Sequence, residues 1–344
     1  MQLTFMLMAA AVLVPGPEKK DTAAELVSTT KIWDGASRNT QADIIRFKDR
    51  WYVVCVESSE ERGRDAALRI IASEDAVKWE SVDLLKSPTP NRGLNSPSFT
   101  LMPDGQLMIS AYGIIARPDL PQPIPQFGGT INTMGWFSKD GKKWSESNQI
   151  GVMDYIFCKI LWNDGTAYSF ASGCICGIMQ TVQLYSSKTG KNFNSVYEQT
   201  FSGFFPEEAD IVFDGDEVYC LMSRGGGAIA EEGRQKGYFG KSKAPYRQWE
   251  WQETDQRLTR PNLMRLADGR ILASIGIIDK KTRTAICELD PKTGKLKELL
   301  ELPTEGRTTE VGLAMHDGHL WVSYHKLHSG KWSVHLAKVK LTRK

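Results

Sequence analysis

Short apolar runs bounded by Asp, Gly, Asn or Pro recur along the whole chain, and no stretch shows a sustained 3.6-residue apolar period. The clearest unit is a polar turn followed by an alternating apolar strand. It reads KDRWYVV from Lys48, PDGQLMIS from Pro103, NDGTAYSF from Asn163, FDGDEVYCL from Phe213, ADGRILAS from Ala267 and HDGHLWVS from His316. The turn aspartates Asp49, Asp104, Asp164, Asp214, Asp268 and Asp317 are spaced by 55, 60, 50, 54 and 49 residues. Five of the six turns carry Asp-Gly, which supplies the positive-φ residues of a two-residue hairpin, and another apolar strand precedes each. A period of about fifty residues leaves room for four short strands per repeat, the signature of a propeller blade. The pattern therefore predicts an all-β fold, a six-bladed β-propeller of four-stranded antiparallel blades.

A fainter repeat lies between these hairpins: SEDAVKW at Ser73 to Trp79, SKDGKKW at Ser138 to Trp144, and the worn copies SKTGKNF from Ser187 and SKAPYRQW from Ser242. Its aspartate is suited to accept backbone N–H bonds across the turn between a blade's outer strands, with the Trp or Phe packing between blades. Composition agrees: 344 residues, 41% hydrophobic, with ten Trp, thirteen Phe, ten Tyr and thirty Gly, favour a large β-rich protein over a helical bundle. Lys and Arg number 43 against 41 Asp and Glu, so no bulk field draws the chain to nucleic acid or an anionic membrane. Recognition has to be local.

Leu3 to Val14 is a twelve-residue apolar run, too short to span a bilayer. With the small residues Ala9 to Ala11 and Pro15-Gly16-Pro17, it fits the core of a signal peptide over residues 1–20, although no Lys or Arg precedes it; a buried strand or a lipid-facing anchor is the alternative. On the first reading the protein is exported, periplasmic or secreted, and residues 21–344 form a single propeller domain, expected to be monomeric. The six cysteines (Cys55, Cys158, Cys174, Cys176, Cys220, Cys287) lack a second close pair and read as isolated buried thiols rather than a zinc site. The five histidines (His316, His319, His325, His328, His335) fall on a turn and on strand ends and read as surface residues, so no metal site is expected. No phosphate-binding Gly-rich loop, HExxH helix or GxSxG elbow is present.

The outer-turn repeats SKDGKKW and SEDAVKW resemble the Asp-box, or bacterial neuraminidase repeat, of the sialidase superfamily, whose members are six-bladed β-propellers. PEEADIVFDGDEVYCLMSRGGG, GKSKAPYRQWEW, RPNLMRLADGRILAS and VGLAMHDGHLWVSYHKLHSGKWSVHLAKVKL resemble a bacterial family of exported exo-α-sialidase-like proteins, with the likeness running from Ala42 to Leu341 and strongest after Phe205. The resemblance implies glycosidase chemistry on a carbohydrate and functional roles for Asp43, Glu208 and Arg224. The departures are clustered. No Phe-Arg-Ile-Pro motif is present; Asn95-Ser96-Pro97 stands where the closer family has Arg-Asp-Pro, Thr309-Glu310-Val311-Gly312 where it has Ser-Tyr-Pro-Gly, and Cys158-Lys159 where it has an arginine.

If the Asp-Gly turns lie on the bottom face, the mouth-side starts of the inner strands are Asp43, Asn95, Lys159, Glu208, Arg260 with Asn262, and Glu310. The second strands then end at Glu57, Tyr112, Cys174, Arg224 and Tyr324 with His325. Two convergent carboxyl groups meet the minimum for glycoside cleavage, so Glu208, Asp43 and Glu310 are the acid and base candidates, and no cofactor is required. Arg224 and Arg260 are candidate clamps for a substrate carboxylate or sulfate, with Asn262, Glu57, Lys159, Tyr112, Asn95, Tyr324 and His325 completing the pocket. The expected function is hydrolysis of an acidic or complex glycan. The alternatives are a non-catalytic glycan-binding propeller that has lost family residues, and a scaffold for a protein partner. The proline-rich stretch Ala116 to Gly129 is expected to pass over the mouth.

Overall fold

In the computed structural model the described residues are 24–59, 63–89, 92–116, 129–175, 178–197, 201–202, 206–225 and 235–342. The expected leader, residues 117–128 of the proline-rich stretch, Cys176 and the Cys174 side chain lie outside them. The fold is a six-bladed β-propeller of antiparallel sheets, with no helix among the described residues and hence none long and apolar enough to cross a membrane. Blades 1 to 6 begin on the inner strands Arg38–Phe47, Leu94–Leu101, Tyr155–Phe157 with Leu161–Asn163, Pro206–Asp214, Leu258–Arg265 and Gly312–His316. Blade 3 fills its inner and outer positions with pairs of short strands. The outermost strand of blade 6 is the N-terminal strand Ala24–Trp33, paired with Lys331–Leu341 from Ala24↔Leu341 to Trp33↔Val334. First and last strands thus close the ring.

The core is six seams between blades. Side chains alternate faces along a strand, so a strand covered on both sides reads as an unbroken apolar run. In blade 1, Trp51, Val53 and Cys55 pack toward blade 6, while Tyr52, Val54 and Val56 pack toward blade 2. In blade 4, Val218, Cys220 and Met222 face blade 3, while Tyr219 and Leu221 face blade 5. Each such aliphatic side chain contributes about 1.5–3 kcal/mol on burial. Cys55, Cys220 and Cys287 are buried free thiols of these seams, Cys158 packs at the seam of blades 3 and 4, and no cluster fit to hold a metal occurs among the described residues.

The inner hairpins close as two-residue turns in blades 1, 3, 4 and 6, at Phe47↔Arg50, Asn163↔Thr166, Asp214↔Glu217 and His316↔His319. Blades 2 and 5 depart from the expected two-residue Asp-Gly turn. There the Gly105 and Gly269 N–H groups reach back to the Met102 and Leu266 carbonyls, and each glycine takes positive φ as the last residue of a longer loop. In the outer turns the Asp75 carboxylate accepts the N–H groups of Val77 and Lys78, and Asp140 those of Lys142 and Lys143. Trp79, Trp144, Phe193 and Trp249 each pack into the seam with the preceding blade.

Two expectations on blade 6 are corrected. Tyr324 offers no sugar-stacking face: it is fully buried in the seam of blades 5 and 6, and its hydroxyl pairs with Thr29 Oγ1 of the closing strand at 2.6 Å. His325 is buried rather than a surface histidine. Tyr324→Phe is therefore expected to lower stability by about 1 kcal/mol, the net worth of one hydrogen bond, with ligand affinity untouched. Urea unfolding and a binding isotherm check this, and a weakened affinity with unchanged stability would return Tyr324 to the site.

Candidate active site

The turns just described define where the inner strands point. Four residues before each two-residue closing pair, or before the Met102 and Leu266 ends of the longer loops, stand Asp43, Ser98, Lys159, Asp210, Asn262 and Gly312. Two residues earlier stand Gln41, Ser96, Phe157, Glu208, Arg260 and Glu310. The first set forms a floor and the second a rim around the channel mouth, and all but Gly312 line one pocket of about 180 Å³.

The floor carboxylates lock neighbouring blades together. Asp43 Oδ1 accepts the Ile44 N–H, and its Oδ2 accepts the Phe99 N–H of blade 2 at 2.8 Å. Asp210 repeats this with Ile211 and with Leu263 of blade 5 at 2.7 Å. Asn262 continues the ring by donating from Nδ2 to the Val311 carbonyl of blade 6. Gly312 completes it, since a Cβ there would meet Asp43 Oδ1 at 2.5 Å and the Ile44 nitrogen at 2.6 Å. Burial pushes the Asp210 carboxyl up to about 6, against the pull of Lys159 and its two N–H donors. Asp43, expected among the acid and base candidates, is 5% exposed with both oxygens engaged by backbone, so its place in the site is that of a strand tie.

The rim is where chemistry is accessible. Register shifts release the inner strands at Thr40/Asp43, Asn95/Ser98, Pro206/Ala209 and Thr259/Asn262, and Gln41, Ser96 and Arg260 adopt φ of 52°, 48° and 53°. These bulges turn rim groups toward the channel. Glu208 Oε2 accepts the Arg260 N–H at 2.8 Å and the Thr259 hydroxyl at 3.1 Å. The Arg260 guanidinium contacts Glu310 Oε1 through Nη1. Burial works against the Arg260 charge, but Glu310 and Glu208 outweigh it and hold the guanidinium more basic than a free arginine. Tyr112 closes one wall; burial, with Glu208 and Glu310 adding, pushes its phenol up to about 12, so it stays a neutral donor. Arg260 Nε, Asn262 Oδ1 and Glu310 Oε2 are buried without a hydrogen-bond partner.

Of the residues expected in the site, Asp43, Lys159, Tyr112, Glu208, Arg260, Asn262 and Glu310 converge on this pocket. Asn95 does not line it and yields to Ser96 and Ser98, because the bulge after Asn95 shifts which side chains face inward. Arg224 is not a clamp: it is 6% exposed, donates to the Lys236 carbonyl, pairs with Glu253 and stacks on Tyr238 within blade 4. Glu57 likewise belongs to a local network, bound by Arg69 and the Trp33 indole N–H. Its own burial opposes ionisation, but these partners outweigh it and hold the carboxyl below the usual range. His325 sits behind Glu310 rather than in the pocket. Sequence reasoning missed Gln41, Glu207 and Asp210. For Asp210 a signal existed, since Ala209-Asp210-Ile211-Val212 repeats Ala42-Asp43-Ile44-Ile45 at the same distance from its turn.

No protein-family model matches the sequence, and no curated protein matches it. Solved structures do. A Dyadobacter fermentans protein of unknown function superposes with a TM-score of 0.77 at 16% identity, over 93% of this chain and 99% of that one. The α-L-arabinofuranosidase Arb93A of Fusarium graminearum gives 0.71 at 14% identity over 93% and 98%. A sialidase of Trypanosoma rangeli gives 0.67 at 8% identity, over 92% of this chain but 59% of that one. At these identities the likeness is one of fold, the six-bladed propeller shared with arabinofuranosidases and sialidases.

Proposed function

We propose that the protein is a propeller glycoside hydrolase whose reacting pair is Glu208 and Glu310 and whose substrate is a neutral sugar. The observation that carries this is the convergence of two rim carboxyl groups from different blades on Arg260, beside polar atoms that lack partners. A buried polar atom left unpaired costs about 1–3 kcal/mol, a cost that sites accept where they serve a ligand. Two donors hold Glu208 Oε2 and orient its other oxygen as base or nucleophile. Glu310, whose side chain is 21% exposed, is the carboxyl suited to hand a proton to the leaving group.

Charge separates the candidate sugars. Among the described residues, Asp43, Glu207, Glu208, Asp210 and Glu310 line the pocket against Lys159 and Arg260. Arg224 is spent within blade 4 and Arg260 faces Glu310 and Glu208, so the two-arginine clamp on which an acidic substrate depended is not assembled. An anionic sugar would add to an existing acidic excess. Arabinobiose, named with a Fusarium graminearum GH93 arabinofuranosidase and a Penicillium chrysogenum arabinanase of the same fold, is of the neutral kind. A pocket of about 180 Å³ suits a single ring more than a long chain, since sites for larger ligands run to ~300–1,000 Å³.

The test is a panel of aryl glycosides comprising neutral furanosides and pyranosides, uronides and sialosides. Turnover confined to neutral glycosides is the expected result. Turnover of sialosides or uronides alone would overturn the neutral-sugar reading. No turnover anywhere, with binding retained on a glycan array, would overturn the hydrolase reading and leave the binding propeller.

A further inference from the structure

Three rim residues, Gln41, Ser96 and Arg260, take positive φ, and two of them share a contact that the third lacks. At blade 2 the Ser96 N–H donates to the rim side chain of the preceding blade, Gln41 Oε1, at 2.9 Å. At blade 5 the Arg260 N–H donates to the rim side chain of the preceding blade, Glu208 Oε2, at 2.8 Å. In both cases the donor is the positive-φ residue of a bulge. At blade 1 the equivalent donor is the Gln41 N–H, and the rim side chain of the preceding blade is Glu310. The acceptor there is instead His325 Nδ1, at 3.1 Å. Glu310 turns to Arg260, and its Oε2 lies without a partner 3.8 Å from that same Nδ1.

We propose that His325 is a positioning residue: by occupying the Gln41 N–H it keeps the Glu310 carboxyl off the backbone and free for the sugar. Accepting a backbone N–H requires an unprotonated Nδ1. Burial, with Arg260 and Arg38 adding, pushes the imidazole down to about 3 and keeps the ring neutral, and the Gln41 N–H aimed at Nδ1 selects the tautomer with its proton on Nε2. Thr309 fixes the ring, with its Oγ1 2.5 Å from Nδ1 and accepting the His325 N–H at 3.2 Å. Trp332 packs edge-on against the imidazole at 5.3 Å between ring centroids. Without an acceptor at that point, Glu310 Oε2, 3.8 Å from it, is the carboxylate oxygen placed to compete for the Gln41 N–H, as Glu208 takes that of Arg260.

This inference rests on the hydrolase reading for its kinetic arm but not for its spectroscopic one. His325→Phe keeps the ring without an acceptor, and His325→Asn returns an oxygen near the Nδ1 position. On the best substrate of the panel, His325→Phe is expected to lose on the order of 100-fold in kcat with KM little changed, the scale of a misplaced reacting group, and His325→Asn to recover most of it. Carbon-detected NMR on full-length protein reads the Glu310 carboxyl directly. Its titration midpoint should fall in His325→Phe, because a new N–H donor favours the carboxylate, and hold in His325→Asn. Arg260, Glu208, Tyr112 and Arg38 surround the group identically in both variants, so only the acceptor differs. If His325→Phe does not fold, His325→Leu replaces it with the same expectations. An unmoved Glu310 midpoint in the variant without an acceptor, or an Asn variant as impaired as Phe, overturns the proposal. If the wild type turns over no glycoside, the midpoint alone decides.

Discussion

Glu208→Gln is expected to lower kcat by ~10²–10⁴-fold, the usual worth of a positioned acid or base, while the fold is retained. The substitution is unusually clean here. Glu208 Oε2 performs a structural task, accepting the Arg260 N–H and the Thr259 hydroxyl, and a Gln Oε1 can still accept both, as neutral rather than charge-assisted bonds. The Arg260 bulge, with its φ of 53°, therefore keeps its support, and the loss isolates the charge of Glu208 from its packing. Thermal unfolding should fall modestly below wild type, because buried Arg260 loses one of its two carboxylate partners. Glu208→Ala is the contrasting variant, since it strands the Arg260 N–H and adds about 1–3 kcal/mol of destabilisation to the lost activity. Steady-state kinetics and urea melts on the two variants separate the roles. A Gln variant with wild-type kcat would remove Glu208 from the chemistry.

The second large effect is a pH-dependent stability carried by Asp210. Its folded-state carboxyl titrates near 6, above the ordinary value of 3.8, because burial disfavours the anion. The folded chain therefore binds more protons than the unfolded chain between those values, and the sign follows: Asp210 costs nothing below about pH 4, and its destabilisation grows as pH rises to about 6 and then stays constant. The span corresponds to a loss on the order of 3 kcal/mol. Carboxylates whose folded values are lowered by hydrogen bonds, such as Asp75 and Asp140, pull the opposite way, so total stability does not report Asp210 alone. The difference between wild type and Asp210→Asn does. Asn keeps an acceptor for the Leu263 N–H but cannot ionise, so the wild type should lose ground against the variant as pH rises from 4 to 6. Urea melts across that range measure it, and a pH-independent difference would show that Asp210 titrates normally.

The propeller was legible in the sequence because its blades differ little: the spacing of the Asp-Gly turns encodes both the number of blades and the direction of every inner strand. The same regularity placed Asp43, Lys159, Glu208, Arg260, Asn262 and Glu310 in one pocket, since residues at fixed distances before equivalent turns share a height along the channel. One strand further out it held for Tyr112 and failed for the other candidates. Arg224, Glu57 and Tyr324 end second strands, which stand back from the axis, so alternation sends their side chains to seams and blade edges where Glu253, Arg69 and Thr29 take them up. The roles within the pocket were also illegible. Asp43 and Glu208 look alike as acids before a strand, but a bulge between floor and rim gives one both oxygens to backbone donors and the other only one. Such bulges leave no mark in an apolar pattern.

Closing blade 6 with the N-terminal strand makes the first and last parts of the chain neighbours, Ala24 opposite Leu341. Every other blade is assembled from consecutive residues and can form locally, whereas the sixth spans nearly the whole sequence before its outer edge is covered. Loop-closure entropy therefore falls on one step, and ring closure is expected to be the slow event of folding. The same junction couples the ends to the site. Thr29 holds Tyr324, the residue immediately before His325, so fraying of the first strand loosens the strand that backs Glu310. A chain shortened from its N-terminal end would lose the outermost strand of its sixth blade and, with it, the support behind one wall of the channel mouth.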